Sequence, residues 1–236
     1  MKLLKNLTIL FLICFATLPL YAQIKIEKSV LMQKDSLNYL LYTPKDTVQK
    51  MPLVVFLHGG GESGTAIEMV KNHGLPKHIA EGKEFPFYVF APQNRYVKGL
   101  WNDRLIHAKT MELADSLNVD KNRIYLIGMS RGGDGVWRMA VNNPNSYAAM
   151  ISICAASIPY IYVRNIPDMP VWFFHGEKDM IVPVEQTIEA YTRMRQLNEN
   201  VELTLYPEVD HDCWTITFQN DEIYEWMLSH SLNSKE

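Results

Sequence analysis

Residues 123–140, RIYLIGMSRGGDGVWRMA, join two different patterns at a single serine. The first part is an apolar run typical of a buried strand, and the second part is typical of a helix. Between them, residues 128–132 read GMSRG, a G-x-S-x-G sequence. A strand that turns at once into a helix strains the residue at the tip, and side chains two positions before or after it would collide. The pattern therefore predicts a tight turn that exposes the hydroxyl of Ser130, with a serine N-cap on an ordinary helix as the alternative.

Runs typical of strands continue on both sides of this segment. They occupy residues 24–33, 37–43, 53–57, 87–91, 124–127, 150–154, 171–174 and 201–206. The first two partly alternate, as in an antiparallel pair at a sheet edge, and the later ones are almost wholly apolar, as in strands covered on both faces. Helical periodicity occurs at residues 102–117 and 184–197. This order predicts an α/β fold with a mostly parallel, doubly wound sheet of about eight strands, which binds ligands beyond the carboxyl ends of its strands.

Two later predicted strands are followed by residues that could activate a serine. A serine hydroxyl needs a base to act as a nucleophile, and the base needs an orienting acid. Asp179 follows the strand at 171–174, and His211 lies in the loop after the strand at 201–206. The sequence therefore predicts Ser130, Asp179 and His211 as a catalytic triad. Glu177 is the competing acid, but it lies nearer to the strand end.

Two backbone amides are candidates for an oxyanion hole. The amide of Arg131, directly after Ser130, supplies the first. The loop FLHGGGESG, residues 56–64, follows a predicted strand and can supply the second, because glycine lets backbone amides approach a substrate closely. A phosphate-binding loop is the alternative, although no G-K-[ST] follows the glycines.

The first 22 residues, MKLLKNLTILFLICFATLPLYA, have the form of a secretory signal peptide. Lys2 and Lys5 precede an apolar stretch over residues 7–18, and a small residue, Ala22, ends the segment. The apolar stretch is shorter than the ~18–20 residues that a membrane-spanning helix needs. We therefore expect an exported protein, periplasmic or extracellular, that has no membrane association after cleavage. Residues 23–236 are expected to form one catalytic domain.

Composition excludes several other functions. Of the 236 residues, 47% are hydrophobic and 21% charged, as in ordinary globular domains. The net charge of −3 becomes −5 without residues 1–22, which hold two lysines and no acid, so nucleic acid is not an expected partner. Cys154 and Cys213 do not make a zinc site, and they could either pair or remain buried thiols. We expect no metal and no cofactor, and the sequence does not specify an oligomeric state.

With these motifs the chain resembles the α/β-hydrolase superfamily. More narrowly, it is similar to small secreted esterases often labelled predicted peptidases, which are related to the phospholipase/carboxylesterase, polyhydroxybutyrate-depolymerase-like and feruloyl-esterase groups. The similarity covers nearly all of residues 23–236 and rests on PLVVFLHGGGESG, RIYLIGMSRGGDGVW, PVWFFHGEKDMIVP and DHDCWTITF. It implies the same triad and an oxyanion hole formed by Gly60 and Arg131. Relatives more often carry methionine at the position of Arg131, so this departure bears on substrate preference.

The expected substrate follows from the surroundings of the triad. Residues 155–170 form a short connection where larger hydrolases of this superfamily insert a lid, so we expect no large lid or cap. Trp101, Tyr160, Tyr162 and Trp214 lie at predicted strand ends and could stack on a sugar or aryl ring, with core packing as the alternative for each. The expected function is a secreted serine esterase that hydrolyses short-acyl or feruloyl esters of plant-type polysaccharide. A serine peptidase for short peptides and a generic carboxylesterase are the alternatives.

Overall fold

A single sheet of eight strands organises the protein. The computed structural model describes residues 23–32, 35–156 and 160–232, so the expected signal peptide, residues 1–22, lies outside the described residues. The strands are β1 (Gln23–Met32), β2 (Asp35–Thr43), β3 (Met51–Leu57), β4 (Tyr88–Pro92), β5 (Val119–Met129), β6 (Ala149–Ile153), β7 (Val171–Gly176) and β8 (Val201–Tyr206). Their order across the sheet is β1-β2-β4-β3-β5-β6-β7-β8.

The strand directions confirm the predicted α/β sheet. β1 pairs with β2, and β2 with β4, in antiparallel register, whereas every pair from β4 to β8 is parallel. The predicted run at 124–127 is only the buried part of β5, which begins at Val119 opposite Met51. The early half of β5 was missed because residues 120–123 are polar and reach solvent at the amino edge of the sheet.

Helices cover both faces of the sheet. Within the described residues the α-helices are α1 (Gly74–Ala80), α2 (Asp103–Ser116), α3 (Arg131–Asn142), α4 (Val184–Arg195), α5 (Trp214–Gln219) and α6 (Glu222–Leu228). The two periodic segments appear as α2 and α4, each slightly shorter than predicted. α1 was not predicted, because it has only seven residues and begins at a glycine with φ of +64°. Short 3-10 helices span Ile67–Asn72 and Tyr160–Asn165, the second within the short connection between β6 and β7.

The central strand β3 shows how the core divides between the two faces. Leu53, Val55 and Leu57 face the layer that contains α2, α3 and α4, whereas Val54 and Phe56 face the layer with α1, α5 and α6. All five side chains are fully buried. Burial of both faces explains why this strand is continuously apolar in sequence. Because β3 is buried on both faces, it cannot move away, and the turn after β5 must fit against it.

The turn between β5 and α3 is as tight as the G-x-S-x-G pattern predicts. Ser130 has φ of +51° and ψ of −121°, a strained conformation for a residue with a side chain. A Cβ atom on Gly128 would lie 2.3 Å from the carbonyl oxygen of Gly132. A Cβ atom on Gly132 would lie 1.9 Å from the carbonyl oxygen of Leu57, in β3. Both glycines are therefore required for α3 to begin this close to the sheet.

Replacement of Gly132 by alanine should destabilise the fold, because the new methyl group overlaps backbone atoms that cannot rotate away. We expect Gly132→Ala to lower the free energy of unfolding by about 3 kcal/mol, at the upper end of the range for overpacking. Urea titration followed by circular dichroism measures this change. Gly61→Ala is the matched control, since a Cβ atom there meets nothing within 4 Å. Equal stability of the two variants would contradict the steric argument.

Candidate active site

The three residues predicted as a triad lie together at the carboxyl edge of the sheet. Ser130 follows β5, Asp179 follows β7 and His211 follows β8. Ser130 Oγ lies 2.9 Å from His211 Nε2, and His211 Nδ1 lies 2.6 Å from Asp179 Oδ2. The side chain of Ser130 makes no capping hydrogen bond to α3, so the N-cap alternative is wrong.

The hydrogen bonds define the protonation pattern of the histidine. The acidic partner of Nδ1 requires an N–H at that atom, so Nδ1 donates to Asp179. Nε2 of His211 then carries a lone pair and accepts the hydroxyl proton of Ser130. In this tautomer, the histidine can remove a proton from Ser130 while Asp179 holds the ring in place.

Asp179 is held as a carboxylate by several donors. Its side chain is fully buried, and Oδ1 accepts hydrogen bonds of 2.8 Å from the amides of Ile181 and Val182. Burial alone would raise the pKa of this carboxyl, but the hydrogen bonds from His211 and from the two amides outweigh burial and lower the pKa below its ordinary value. Glu177, the competing acid, is exposed to solvent.

A second buried histidine supports the same carboxylate. His175 Nε2 lies 3.1 Å from Asp179 Oδ2 and 3.0 Å from the carbonyl oxygen of Val182. On its other side, Nδ1 lies 2.8 Å from Thr187 Oγ1 in α4. Burial lowers the pKa of His175, so the ring is neutral and donates one N–H from Nε2. The contact of His175 with Asp179 was not predicted from the sequence.

The two amides predicted for the oxyanion hole belong to residues near the serine: Arg131 follows Ser130 directly, and a Cβ atom on Gly59, next to Gly60, would lie 3.5 Å from Ser130 Cβ. Neither the N–H of Gly60 nor that of Arg131 donates to another residue in the described part of the chain. The loop around Gly60 is fixed from outside, because the Nε2 atom of Gln93 donates to the carbonyl of Glu62 and the N–H of Asn94 donates to His58 Nε2. Two unpaired amides beside a serine can stabilise an anion on a substrate oxygen.

The loop also contains a buried acid that was not singled out from the sequence. Glu62 is 3% exposed, with Oε1 3.5 Å from His73 Nε2 and Oε2 3.7 Å from His58 Nδ1. Burial raises the pKa of this carboxyl. The glycines at 59, 61 and 64 do match G-x-G-x-x-G, but a buried carboxylate inside the loop repels phosphate, which argues against the phosphate-binding alternative. The one clue in the sequence was an acidic residue inside a glycine-rich loop.

Comparison with known proteins identifies the family. The family model for phospholipases and carboxylesterases matches residues 102–225, which include Ser130, Asp179 and His211. The chain belongs to the phospholipase/carboxylesterase family. Its architecture is that of the α/β hydrolases, as the resemblance implied.

Individual relatives agree with this family. "Putative esterase NocK" from Nocardia uniformis subsp. tsuyamanensis is 27% identical over 150 residues, which cover 57% of this chain and 42% of NocK. A solved thermostable esterase is 29% identical with a TM-score of 0.72, and the match covers 89% of this chain and 63% of the other. A ferulic acid esterase has a TM-score of 0.69 at 13% identity, covering 89% of this chain and 99% of that chain, which shows the fold alone. The chain thus spans less than two thirds of NocK and of the thermostable esterase.

The aromatic residues predicted to bind substrate differ in exposure and in the residues that they contact. Trp101 is only 3% exposed and packs edge-on against His58, with ring centroids 4.7 Å apart, so core packing is its role. Trp214 is half-buried, and its ring lies 5.2 Å from that of His211 and 5.6 Å from that of His73. The side chains of Tyr160 and Tyr162 lie outside the described residues. Of the two whose side chains are described, Trp214 lies beside the candidate triad and Trp101 does not contact it.

Three further observations complete the description of the site and its surroundings. Cys154 and Cys213 are buried free thiols. No cluster of three histidine, cysteine or acidic side chains suited to a metal ion occurs among the described residues. In the same part of the chain, no helix has the length and apolar character needed to cross a membrane.

Asp179→Asn should reduce turnover strongly while the protein still folds, because the amide no longer selects the Nδ1–H tautomer of His211. We expect kcat to fall by about 10⁴-fold, as is typical for loss of the triad acid. Glu177→Gln is the matched control and should be close to the parent protein, since Glu177 is exposed. The kcat of each variant is measured by steady-state hydrolysis of 4-nitrophenyl acetate. If Glu177→Gln lost most of its activity while Asp179→Asn remained active, Glu177 and not Asp179 would be the acid of the triad.

Proposed function

We propose that the protein is an exported serine esterase that hydrolyses carboxylic esters through an acyl-enzyme intermediate. One observation carries the proposal: Ser130, His211 and Asp179 are hydrogen-bonded in series, beside the unpaired amides of Gly60 and Arg131. A nucleophile, its base, an orienting acid and oxyanion donors are the parts that acyl transfer requires. The esterase names of the relatives support the same reaction class.

In the proposed acylation step, Ser130 Oγ attacks the ester carbonyl while its proton passes to His211 Nε2. The carbonyl oxygen becomes an oxyanion that the amides of Gly60 and Arg131 stabilise. The imidazolium of His211 is stabilised by Asp179 and then protonates the leaving alkoxide, so that an alcohol departs and the acyl group remains on Ser130.

Deacylation repeats these steps with water as the nucleophile. His211 Nε2 removes a proton from water, hydroxide adds to the acyl carbon, and the second oxyanion occupies the same hole. Collapse of this intermediate returns the proton to Ser130 Oγ and releases a carboxylic acid. Because the hydrogen bonds from His211 and from the two amides lower the pKa of Asp179 despite its burial, it remains a carboxylate throughout the cycle.

For the substrate, we propose short-acyl or feruloyl esters of plant-type polysaccharide outside the cytoplasm. The signal-like residues 1–22 support an extracytoplasmic substrate. The short connection between β6 and β7, with its 3-10 helix Tyr160–Asn165, supports an open cleft that suits a polymer. Trp214, half-buried beside His211, offers an aromatic surface near the alcohol part of the ester.

Ser130→Ala and His211→Ala test the nucleophile and its base. Each should lower kcat by 10⁴-fold or more, on the order found for triad residues, while circular dichroism and the melting temperature stay close to the parent. The double variant should be no slower than either single variant, because the two residues act as a unit. A folded Ser130→Ala protein with near-parental hydrolysis would contradict the proposal.

A substrate panel tests the proposed ester class. We expect measurable kcat/KM for acetyl and feruloyl esters of xylo-oligosaccharides, low values for long-chain acyl esters, and little cleavage of short peptides. Activity that increases with acyl length, or equal rates for a sugar ester and its alkyl counterpart, would remove the polysaccharide proposal and leave a generic carboxylesterase. Peptide turnover above ester turnover would favour the peptidase alternative.

A further inference from the structure

The side chain of Arg131 is held rigidly beside the candidate nucleophile. Its Nη1 atom donates to the carbonyl oxygens of Val97, Tyr96 and Gly99, at 2.7, 3.2 and 3.3 Å. Three carbonyls on one nitrogen fix both the position and the plane of the guanidinium. A methionine side chain at this position has no N–H group and could not make these contacts.

The rest of the guanidinium lies over Gly60, in the loop of residues 56–64. The N–H groups on this part of the guanidinium are unused among the described residues. A Cβ atom on Gly60 would lie 2.4 Å from Nη2 of Arg131, so the absence of a side chain at Gly60 makes room for the charged group. Within the described residues, the Nε and Nη2 atoms of Arg131 donate to no protein group. Since arginine has five N–H donors, three of them remain for a ligand.

In the proposed mechanism, the guanidinium would face the acyl part of a bound ester. His211 Nε2 must protonate the leaving alkoxide, so the alcohol part of the substrate lies on the side of His211 and Trp214. Arg131 contacts Gly60 and the carbonyls of residues 96–99 instead. An acyl chain that leaves the oxyanion hole away from the alcohol therefore runs toward the guanidinium.

The surrounding charges favour an anion on this side of the site. Residues 94–100, NRYVKGL, contain the exposed cations Arg95 and Lys98 and no acid. The buried acid Glu62 directs its carboxyl oxygens to His73 and His58, at 3.5 and 3.7 Å, and makes no hydrogen bond with Arg131 in the described part of the chain. A fixed guanidinium in a basic surrounding matches the geometry of a carboxylate, which it can bind through two parallel hydrogen bonds.

We propose that the Arg131 side chain binds a carboxylate at the far end of the acyl group, so that the enzyme prefers half-esters of short dicarboxylic acids to uncharged esters of the same length. This inference rests on the proposed serine esterase function and refines its short-acyl class. The scissile bond and the mechanism are unchanged: the ester is cleaved to an alcohol, and the dicarboxylic acid leaves after water attacks the acyl-enzyme.

The test compares matched pairs of chromogenic esters on the full-length protein. The substrates are 4-nitrophenyl hydrogen succinate against 4-nitrophenyl butanoate, and 4-nitrophenyl hydrogen adipate against 4-nitrophenyl hexanoate, with spontaneous hydrolysis subtracted. The measured quantity is the selectivity ratio, kcat/KM of the half-ester divided by that of the uncharged ester. We expect a ratio of about 10 or more for at least one pair, because hydrogen bonds to a charged group supply about 10- to 100-fold. The ratio should decrease as salt increases.

Two variants and a control separate recognition from support of the loop. Arg131→Met should lower the selectivity ratio by about 10- to 100-fold, and Arg131→Lys should retain part of it because the charge remains. Arg193→Met is the matched control, since Arg193 is exposed on α4 and pairs with Glu189, and it should keep the parental ratio. If a variant at Arg131 does not fold, the selectivity ratio of the parent protein and its salt dependence still decide whether the site prefers a carboxylate.

The possible results distinguish this inference from the function on which it rests. A parental ratio of about 1 or below, or a ratio unchanged in Arg131→Met, would overturn carboxylate recognition while the esterase function stands. Equal losses on both members of a pair would assign Arg131 to loop support alone and would also overturn it. No hydrolysis of any of the four esters would overturn the proposed function and this inference with it.

Discussion

The close approach of α3 to β3 is the constraint on which the rest of the structure depends. A Cβ atom on Gly132 would lie 1.9 Å from the Leu57 carbonyl oxygen, so only glycine lets the helix begin where it does. The chain must then reverse at Ser130 with φ of +51°. This reversal lifts the hydroxyl above the sheet and directs the first amide of α3 to the same side. Backbone strain is tolerated at Ser130 because fully buried strands hold it in place.

Parallel strands bring the partners of Ser130 to it. Because β5, β7 and β8 run in the same direction, the loops that carry Ser130, Asp179 and His211 leave the sheet at one edge. His175 contacts the Asp179 carboxylate from inside the protein and is itself hydrogen-bonded to Thr187, which links the acid to α4. The site therefore rests on buried hydrogen bonds of the scaffold, which keep the donors and acceptors oriented before a substrate arrives.

The two sides of the candidate cleft differ in chemistry. The rings of Trp214 and His73 lie next to each other, and Trp214 also contacts His211, so in the proposed function they would offer aromatic surface to the alcohol part of an ester. The Arg131 side chain instead contacts residues 96–99 and adds a fixed positive charge. One residue thus has two separable parts: its amide belongs to the proposed oxyanion hole, whereas its side chain bears on which acyl group enters.

The sequence by itself determined the positions of the strands, the mostly parallel α/β sheet, the strained turn and the three triad candidates, because each depends on local patterns: apolar runs, glycine spacing and polar residues just after strands. Tertiary structure decided the rest. Trp101 lies in the loop between β4 and α2 yet is only 3% exposed, since α3 lacks a side chain at Gly135 and the indole fills that space. Likewise, His175 at the end of β7 meets Asp179 in the loop that follows, Glu62 is buried, and Arg131 in α3 binds the carbonyls of residues 96–99. Periodicity cannot encode such contacts, because they depend on how separate elements pack in three dimensions.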